Sequence, residues 1–356
     1  MILDLSKNIS STTGNDNQDY QISILKITAL WAFSESAFGG ILHALTIPLR
    51  GIFISSAAVL FISLIALSSK SSKEILKSTL IVILIKALVS PHTPLTAYFA
   101  VSMQGLLGYL LFITKNFYRS SALILGILTL LFSGMQKIVV LTVLFGNTLW
   151  KSINIFIKQV LNKFLSMGLN PDIHYGYLLI GLYVSIHIAA GVFIGFYAGN
   201  LPKKIRFYSK QIPVTIFEES ENDVPHKDKK KKKKSWMLRP TGIIILTISI
   251  VVLIFSYLYP SAKDITAFEI IIMLVRSIVL TVLWYAILAP IVKRLFQKYL
   301  AGKKSAYAKD IDEIMNMFPQ FRKVVSYCWK NSSDKKGLKR IHYFLSTSFY
   351  YSLLSK

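Results

Sequence analysis

One cysteine, Cys328, stands in a chain of 356 residues, so no intrachain disulfide can form and no cysteine cluster can hold a metal. Charge is scarce as well: 16% of residues are charged, against about 25% in an ordinary soluble domain. Acidic residues are the scarcer sign, 17 against 41 Lys and Arg, which leaves a formal net charge of +24. Catalytic signatures are missing too. No GxxxxGK(S/T) phosphate loop, HExxH zinc helix or GxSxG nucleophile elbow occurs, and "AGKKS" at 301–305 lacks the glycine spacing a phosphate loop needs. The chain is therefore not expected to be an enzyme, and neither a cofactor nor a metal is expected. The polar segment 1–21 carries Asp4, Asp16 and Asp19 against Lys7, unlike the basic start of a cleaved signal peptide, so the first apolar run is expected to stay as a membrane helix.

What the chain does have is apolar length: 53% of its residues are hydrophobic. "FISSAAVLFISLIALSS" and "TGIIILTISIVVLIFSYLY" are each long enough to cross a bilayer core of about 30 Å as a helix. The expected fold class is all-α, a polytopic transmembrane helical bundle. Apolar runs read against breakers give eight spans: 22–47, 51–68, 75–90, 95–114, 121–145, 175–199, 241–259 and 265–290. Pro48, Pro91, Pro94 and Pro260 sit at their ends, where a missing backbone donor does least harm.

Lys and Arg set the orientation. Lys70, Lys73 and Lys77, then Lys115 and Arg119, mark loops on one side, joined by the lysine row 229–234 and the basic tail. The opposite side carries "SPHTP" and "PSAKD". Both termini are expected in the cytoplasm of a bacterial inner membrane. The dissent of Lys151, Lys158 and Lys163 is resolved by a helix, because Trp150, Ile153, Ile157, Val160, Leu161 and Phe164 recur at three- and four-residue intervals. Such a helix either lies on the membrane surface or caps the bundle. The segments are then a polar cytoplasmic N-terminus (1–21), a six-helix bundle (22–200), a basic linker (201–240), two further spans (241–290) and a cytoplasmic helical tail (291–356). In that tail "DIDEIMNMFPQFRKVVSYCWK" reads as helical with a break at Pro319.

Ionisable and polar groups inside spans are expensive and worth locating. Glu35 is the one acidic residue inside the first six spans. A pairing with Lys86 or Lys137 satisfies it, and so does a ligand or a proton. Lys86 by itself reads as a lysine snorkelling to the interface. Gln104, Gln136 and His187 read equally as interhelical glue or as solute contacts. His43 and Arg50 in "HALTIPLRG", His92 in "SPHTPLTAYF" and His174 in "NPDIHYGY" put imidazoles and a guanidinium on the outer loops. The substrate-binding set is therefore Glu35, His43, Arg50, His92, Gln104, His174 and His187. Ala32, Ser36, Gly40 and Ala44 repeat at intervals of four and form a small-residue face, either internal packing or a docking surface for another subunit. Glu269 and Arg276, seven apart, share a helix face.

With six spans, a small-residue face on helix 1 and polar outer loops, residues 1–200 resemble the substrate-binding S component of energy-coupling factor (ECF) vitamin transporters. The resemblance implies a small-molecule substrate, a vitamin or metal chelate, closed over by loops carrying His43, Arg50, His92 and His174. It also implies a transmembrane coupling subunit docked on Ala32, Ser36, Gly40 and Ala44, together with ATPase subunits. Residues 201–356 lie outside it; their basic linker and tail suit anionic lipid, and no nucleic-acid partner is expected. Two rivals stand beside this reading: a non-transporting scaffold working through its tail, and a membrane-embedded enzyme using Glu35 and the histidines.

Overall fold

The computed structural model describes residues 16–40, 49–90, 93–165, 173–208 and 267–354, and among these it is helical with no strand. Four helices are long and apolar enough to cross a membrane: Arg50–Ser68, Tyr118–Phe145, Tyr175–Gly199 and the continuous Phe268–Ala306. The expected span 241–259 lies outside the described residues. The remaining expected spans are shorter or more polar than that standard. Leu95–Leu111, at 17 residues, rises about 25 Å, and Lys73–Val89 carries four charged side chains, Lys73, Glu74, Lys77 and Lys86. The chain divides into two compact units: 1–131 with 188–221 and 302–356, and 132–187 with 222–301.

The first unit is built on α1 (Asp16–Phe33, continuing through a π-helical turn at Ser34–Phe38), α2 (Arg50–Ser68), α3 (Lys73–Val89) and α4 (Leu95–Leu111). Helix α2 starts from Leu49, a non-glycine residue in the left-handed region at φ 56°, a conformation that costs about 1–2 kcal/mol. Ile27, Trp31, Ile62, Ile65, Val82 and Ile85 are buried between these helices. Thr28 donates to Ser78 at 2.8 Å, and Lys86 donates to Glu35 at 2.5 Å. Seven residues along α1 thus match eight along α3, so the two helices run parallel. Gly105 and Gly108 let α4 close on its neighbours, since a Cβ there would strike Thr79 and Ile62 respectively.

Two amphipathic helices of the tail, α11 (Ala308–Asn331) and α12 (Gly337–Leu354), complete this unit. In α11 the buried residues Ile311, Ile314, Phe318, Phe321, Val324 and Cys328 recur at three- and four-residue intervals, the stripe of a helix with one covered face. Phe33 of α1 meets Phe318 and Phe321 at ring-centroid distances of 5.3 and 5.8 Å, both edge-on. Lys77 pairs with Asp310 at 3.0 Å, and Phe61 meets Phe349 at 5.9 Å. The break expected at Pro319 is absent: α11 runs through it. Aromatic contacts on both flanks of Pro319 hold the helix against the loss of one backbone bond. Cys328 is buried, and burial raises its thiol pKa, so it stays protonated.

Helices α5 (Tyr118–Phe145) and α7 (Tyr175–Gly199) run antiparallel. Within the first unit they meet through glycine. A Cβ on Gly126 would strike the Gly191 carbonyl, one on Gly191 would lie 2.8 Å from the Gly126 carbonyl, and one on Gly195 would lie 2.7 Å from the Leu123 Cα. Gly191, Gly195 and Gly199 are spaced by four, which puts them on one face and brings backbone against backbone. Tyr118 donates to the Ser63 and Ala198 carbonyls at 3.2 and 3.3 Å, tying three helix ends together.

The second unit contains α6 (Asn147–Leu165), the helix that the Trp150–Phe164 stripe predicts, and α9 (Ala267–Leu283), which continues through a π-helical turn at Trp284–Leu288 into α10 (Ala289–Ala306), of which the part up to Ala301 lies in this unit. Trp150 is buried and its indole donates to Thr142 at 3.0 Å. Arg276, buried in α9, donates to the Phe145 carbonyl at the end of α5. The next residue, Gly146, adopts φ 67° and has no room for a Cβ beside that guanidinium, so glycine is required there both for conformation and for space.

Replacing Gly191 by leucine should separate α5 from α7 and lower the yield of monodisperse full-length protein several-fold in fluorescence-detected size exclusion. Gly40→Leu, with no neighbour within 4 Å, should behave as wild type.

Candidate functional site

The π-helical turn at Ser34–Phe38 carries the first unit's buried carboxylate. The Gly39 amide reaches back to the Ser34 carbonyl, and the Ser36 hydroxyl donates to the Ala32 carbonyl at 2.5 Å. Such turns widen a helix by one residue and frequently mark functional positions. Here the turn delivers Glu35 into the interior, 3% exposed, against Lys86, 6% exposed. Nζ of Lys86 sits 2.5 Å from Glu35 Oε2. Lys86 does not snorkel to the interface as its position near the end of α3 suggests; it turns inward because an ammonium buried beside a carboxylate recovers by Coulomb attraction much of what it loses in hydration. Of the two cations expected as partners for Glu35, Lys86 takes the role and Lys137 is exposed.

The pair leaves hydrogen-bonding capacity unused. Glu35 Oε1 is buried and has no partner among the described residues, and neither does the indole nitrogen of Trp31, one turn earlier on α1. Gln104 on α4 is 2% exposed; its Nε2 donates to Ser55 at 3.3 Å, while its Oε1 has no partner. Ile54, the residue before Ser55, faces Gly39, one turn beyond Glu35. Buried polar atoms are normally paired with protein, water or ligand. The first unit therefore buries a carboxylate oxygen, a carboxamide oxygen and an indole N–H, each without a hydrogen-bond partner among the described residues.

Other expected site residues stand elsewhere. Arg50 is exposed at the start of α2. His43 and His92 lie outside the described residues, as does Ala44. His174 and the buried His187 belong to the second unit. The His174 ring stacks on Tyr177 at 4.1 Å, and its Nδ1 accepts the Tyr177 amide at 3.3 Å, a local role at the start of α7. His187 Nδ1 lies 2.9 Å from the Tyr183 carbonyl, so that nitrogen carries the proton, and Gly134 leaves room for its ring. Gln136, on α5, is half-buried in the same unit. Among the described residues, no group of three His, Cys, Asp or Glu is arranged to hold a metal ion.

The small-residue face on α1 does not stay on one line. Ala32 and Ser36 are buried inside the chain, whereas Gly40 is exposed with nothing within 4 Å. The π-helical turn between them shifts the helical phase. Ala32 and Ser36 are covered by the chain's own packing in this structure.

Trp31 and Ser55 are the members of the site that sequence reasoning passes over. Trp31 lies four residues before Glu35 and so shares its face; Ser55 carries no signal in an apolar helix. No protein-family model, curated protein or solved structure is detectably similar to the chain.

Breaking the pair should destabilise more than removing it. Lys86→Met alone strands the carboxylate and should cost about 3–5 kcal/mol. Lys86→Met with Glu35→Gln should recover a large part of that in detergent thermal melts.

Proposed function

We propose that the chain is an integral membrane solute-uptake protein, the substrate-binding subunit of a multi-component, ECF-like transporter. Its solute is a vitamin-like small molecule or a metal chelate. The observation that carries this reading is the buried Glu35–Lys86 pair with one carboxylate oxygen unpartnered. Burying an ion pair is a weak route to stability, and intramembrane ionisable residues mark solute or ion paths more often than structural joints. Gln104 and Trp31 offer a further unpartnered acceptor and donor, the kinds of group that orient a bound solute.

In this reading the bundle has eight spans, both termini lie in the cytoplasm of a bacterial inner membrane, and solute enters from outside past His43, Arg50 and His92. A coupling subunit with its ATPases supplies the energy, since the chain has no phosphate loop of its own. The scaffold alternative is weakened because α11 and α12 of the tail pack on the bundle through Phe33 and Phe61.

Mass spectrometry of small molecules retained by the purified full-length protein tests the proposal. Wild type should carry a solute, and Glu35→Gln combined with Lys86→Met, which leaves no stranded charge, should retain it at least about tenfold less at equal membrane abundance, as expected for one hydrogen bond to a charged group. Equal retention by both proteins contradicts the assignment of Glu35, and no retained solute with no uptake by cells contradicts the function.

A further inference from the structure

A shallow groove of about 220 Å³ opens in the first unit where α5 begins and α7 ends, lined by Arg119, Ser120, Leu123, Phe196, Gly199 and Asn200. Both helices are long and apolar enough to cross a membrane, so their adjoining ends lie at a membrane face. Gly199 keeps the groove narrow at its base, where a Cβ would meet the Arg119 backbone at 3.4 Å. Tyr118, next to Arg119, fixes these ends through its two carbonyl contacts.

The chemistry here is one-signed. Residues 114–125 carry Lys115 and Arg119, and residues 193–208 carry Lys203, Lys204 and Arg206, without a single Asp or Glu in either stretch. Arg119 and Lys203 are exposed. Lys204 lies over the Tyr197 ring at 3.5 Å. The short helix α8 (Leu201–Tyr208), which bears the last three cations, follows the groove directly. On the spanning side, Phe193 and Phe196 are 72% and 59% exposed; three residues apart, they make an apolar track along α7 that leads into the groove.

A guanidinium and a hydroxyl at the mouth, an apolar track below and two flanking stretches without Asp or Glu match one amphiphile: an anionic phospholipid with its phosphate at the membrane surface and its chains along the helix. We propose that this groove is a binding site for an anionic phospholipid headgroup, with Arg119 and Ser120 on the phosphate and Phe193 and Phe196 against an acyl chain. Guanidinium suits the phosphate because its planar fork donates two hydrogen bonds at once. The site does not include Glu35 and does not depend on the uptake reading.

Native mass spectrometry of the full-length protein, equilibrated with equal amounts of phosphatidylglycerol and phosphatidylcholine, tests it. Phosphatidylglycerol should be retained preferentially at one copy per chain. Arg119→Gln should reduce that retention about tenfold, the loss expected for one charged hydrogen bond, and Asn200→Asp should reduce it as well by setting a like charge beside the phosphate. Lys339→Gln, an exposed cation on α12 that does not line the groove, should leave it unchanged. Glycerol 3-phosphate should fail to displace the lipid. Equal retention of the two lipids, insensitivity to both groove substitutions, or displacement by glycerol 3-phosphate would each overturn the proposal, the last by assigning the groove to a soluble phosphate.

Discussion

A carboxylate and an ammonium 2.5 Å apart inside an apolar helical bundle constrain everything around them. Each ion by itself would lose several kcal/mol of hydration in such a place, so neither Glu35 nor Lys86 can be buried without the other. That requirement fixes the parallel pairing of α1 and α3, with Thr28–Ser78 one register point and Glu35–Lys86 the next. It also accounts for the π-helical turn at Ser34–Phe38, which rotates Glu35 inward at a level where the regular helix places the small-residue face. The unpaired oxygen of Glu35 is then the point at which stability and function separate. Lys86 is what the fold requires, and in the proposed function the second oxygen is what remains for a solute.

The tail reaches this centre more directly than its sequence position suggests. Phe33 lies two residues before Glu35, and its ring is held between Phe318 and Phe321 on either side of Pro319. The helix carrying the polar pair is thus packed on one side by α2 and α3 and on another by the tail helix α11. Lys77–Asp310 adds a half-exposed ion pair at the same contact; pairs of that exposure contribute about 0–1 kcal/mol, so the aromatic contact is the larger share. Elsewhere, close approach replaces charge. Gly126, Gly191 and Gly195 let α5 and α7 touch through their backbones, a device suited to a lipid environment in which apolar side chains gain little by leaving the acyl chains for each other.

Much of this was legible in the residues. Apolar length gave the all-helical membrane character, and the three- and four-residue recurrence from Trp150 to Phe164 gave the helix Asn147–Leu165. Glu35 stood out because a lone acid in apolar surroundings must find a partner, and Lys86 was one of two candidates. Other features were hidden for physical reasons. A π-helical turn has no compositional signature, so the four-residue spacing of Ala32, Ser36 and Gly40 read as one straight face. Proline is an unreliable helix breaker when tertiary contacts flank it, as Phe318 and Phe321 do Pro319. Lys86 near a helix end fits snorkelling equally well, until the register of α1 against α3 is known. The glycine spacing at 191, 195 and 199 was readable and is the stronger small-residue signal of the two.

The central claim is that Glu35 and Lys86 are buried as a pair in which each requires the other. Exchanging the two charges tests it most directly: the thermal stability of full-length protein in lipid bilayers is compared for Glu35→Lys, Lys86→Glu and the double exchange. The account predicts that each single exchange, which buries two like charges together, lowers stability sharply, and that the double exchange recovers a large part of the loss. A double exchange no more stable than the sum of the two single effects would contradict it.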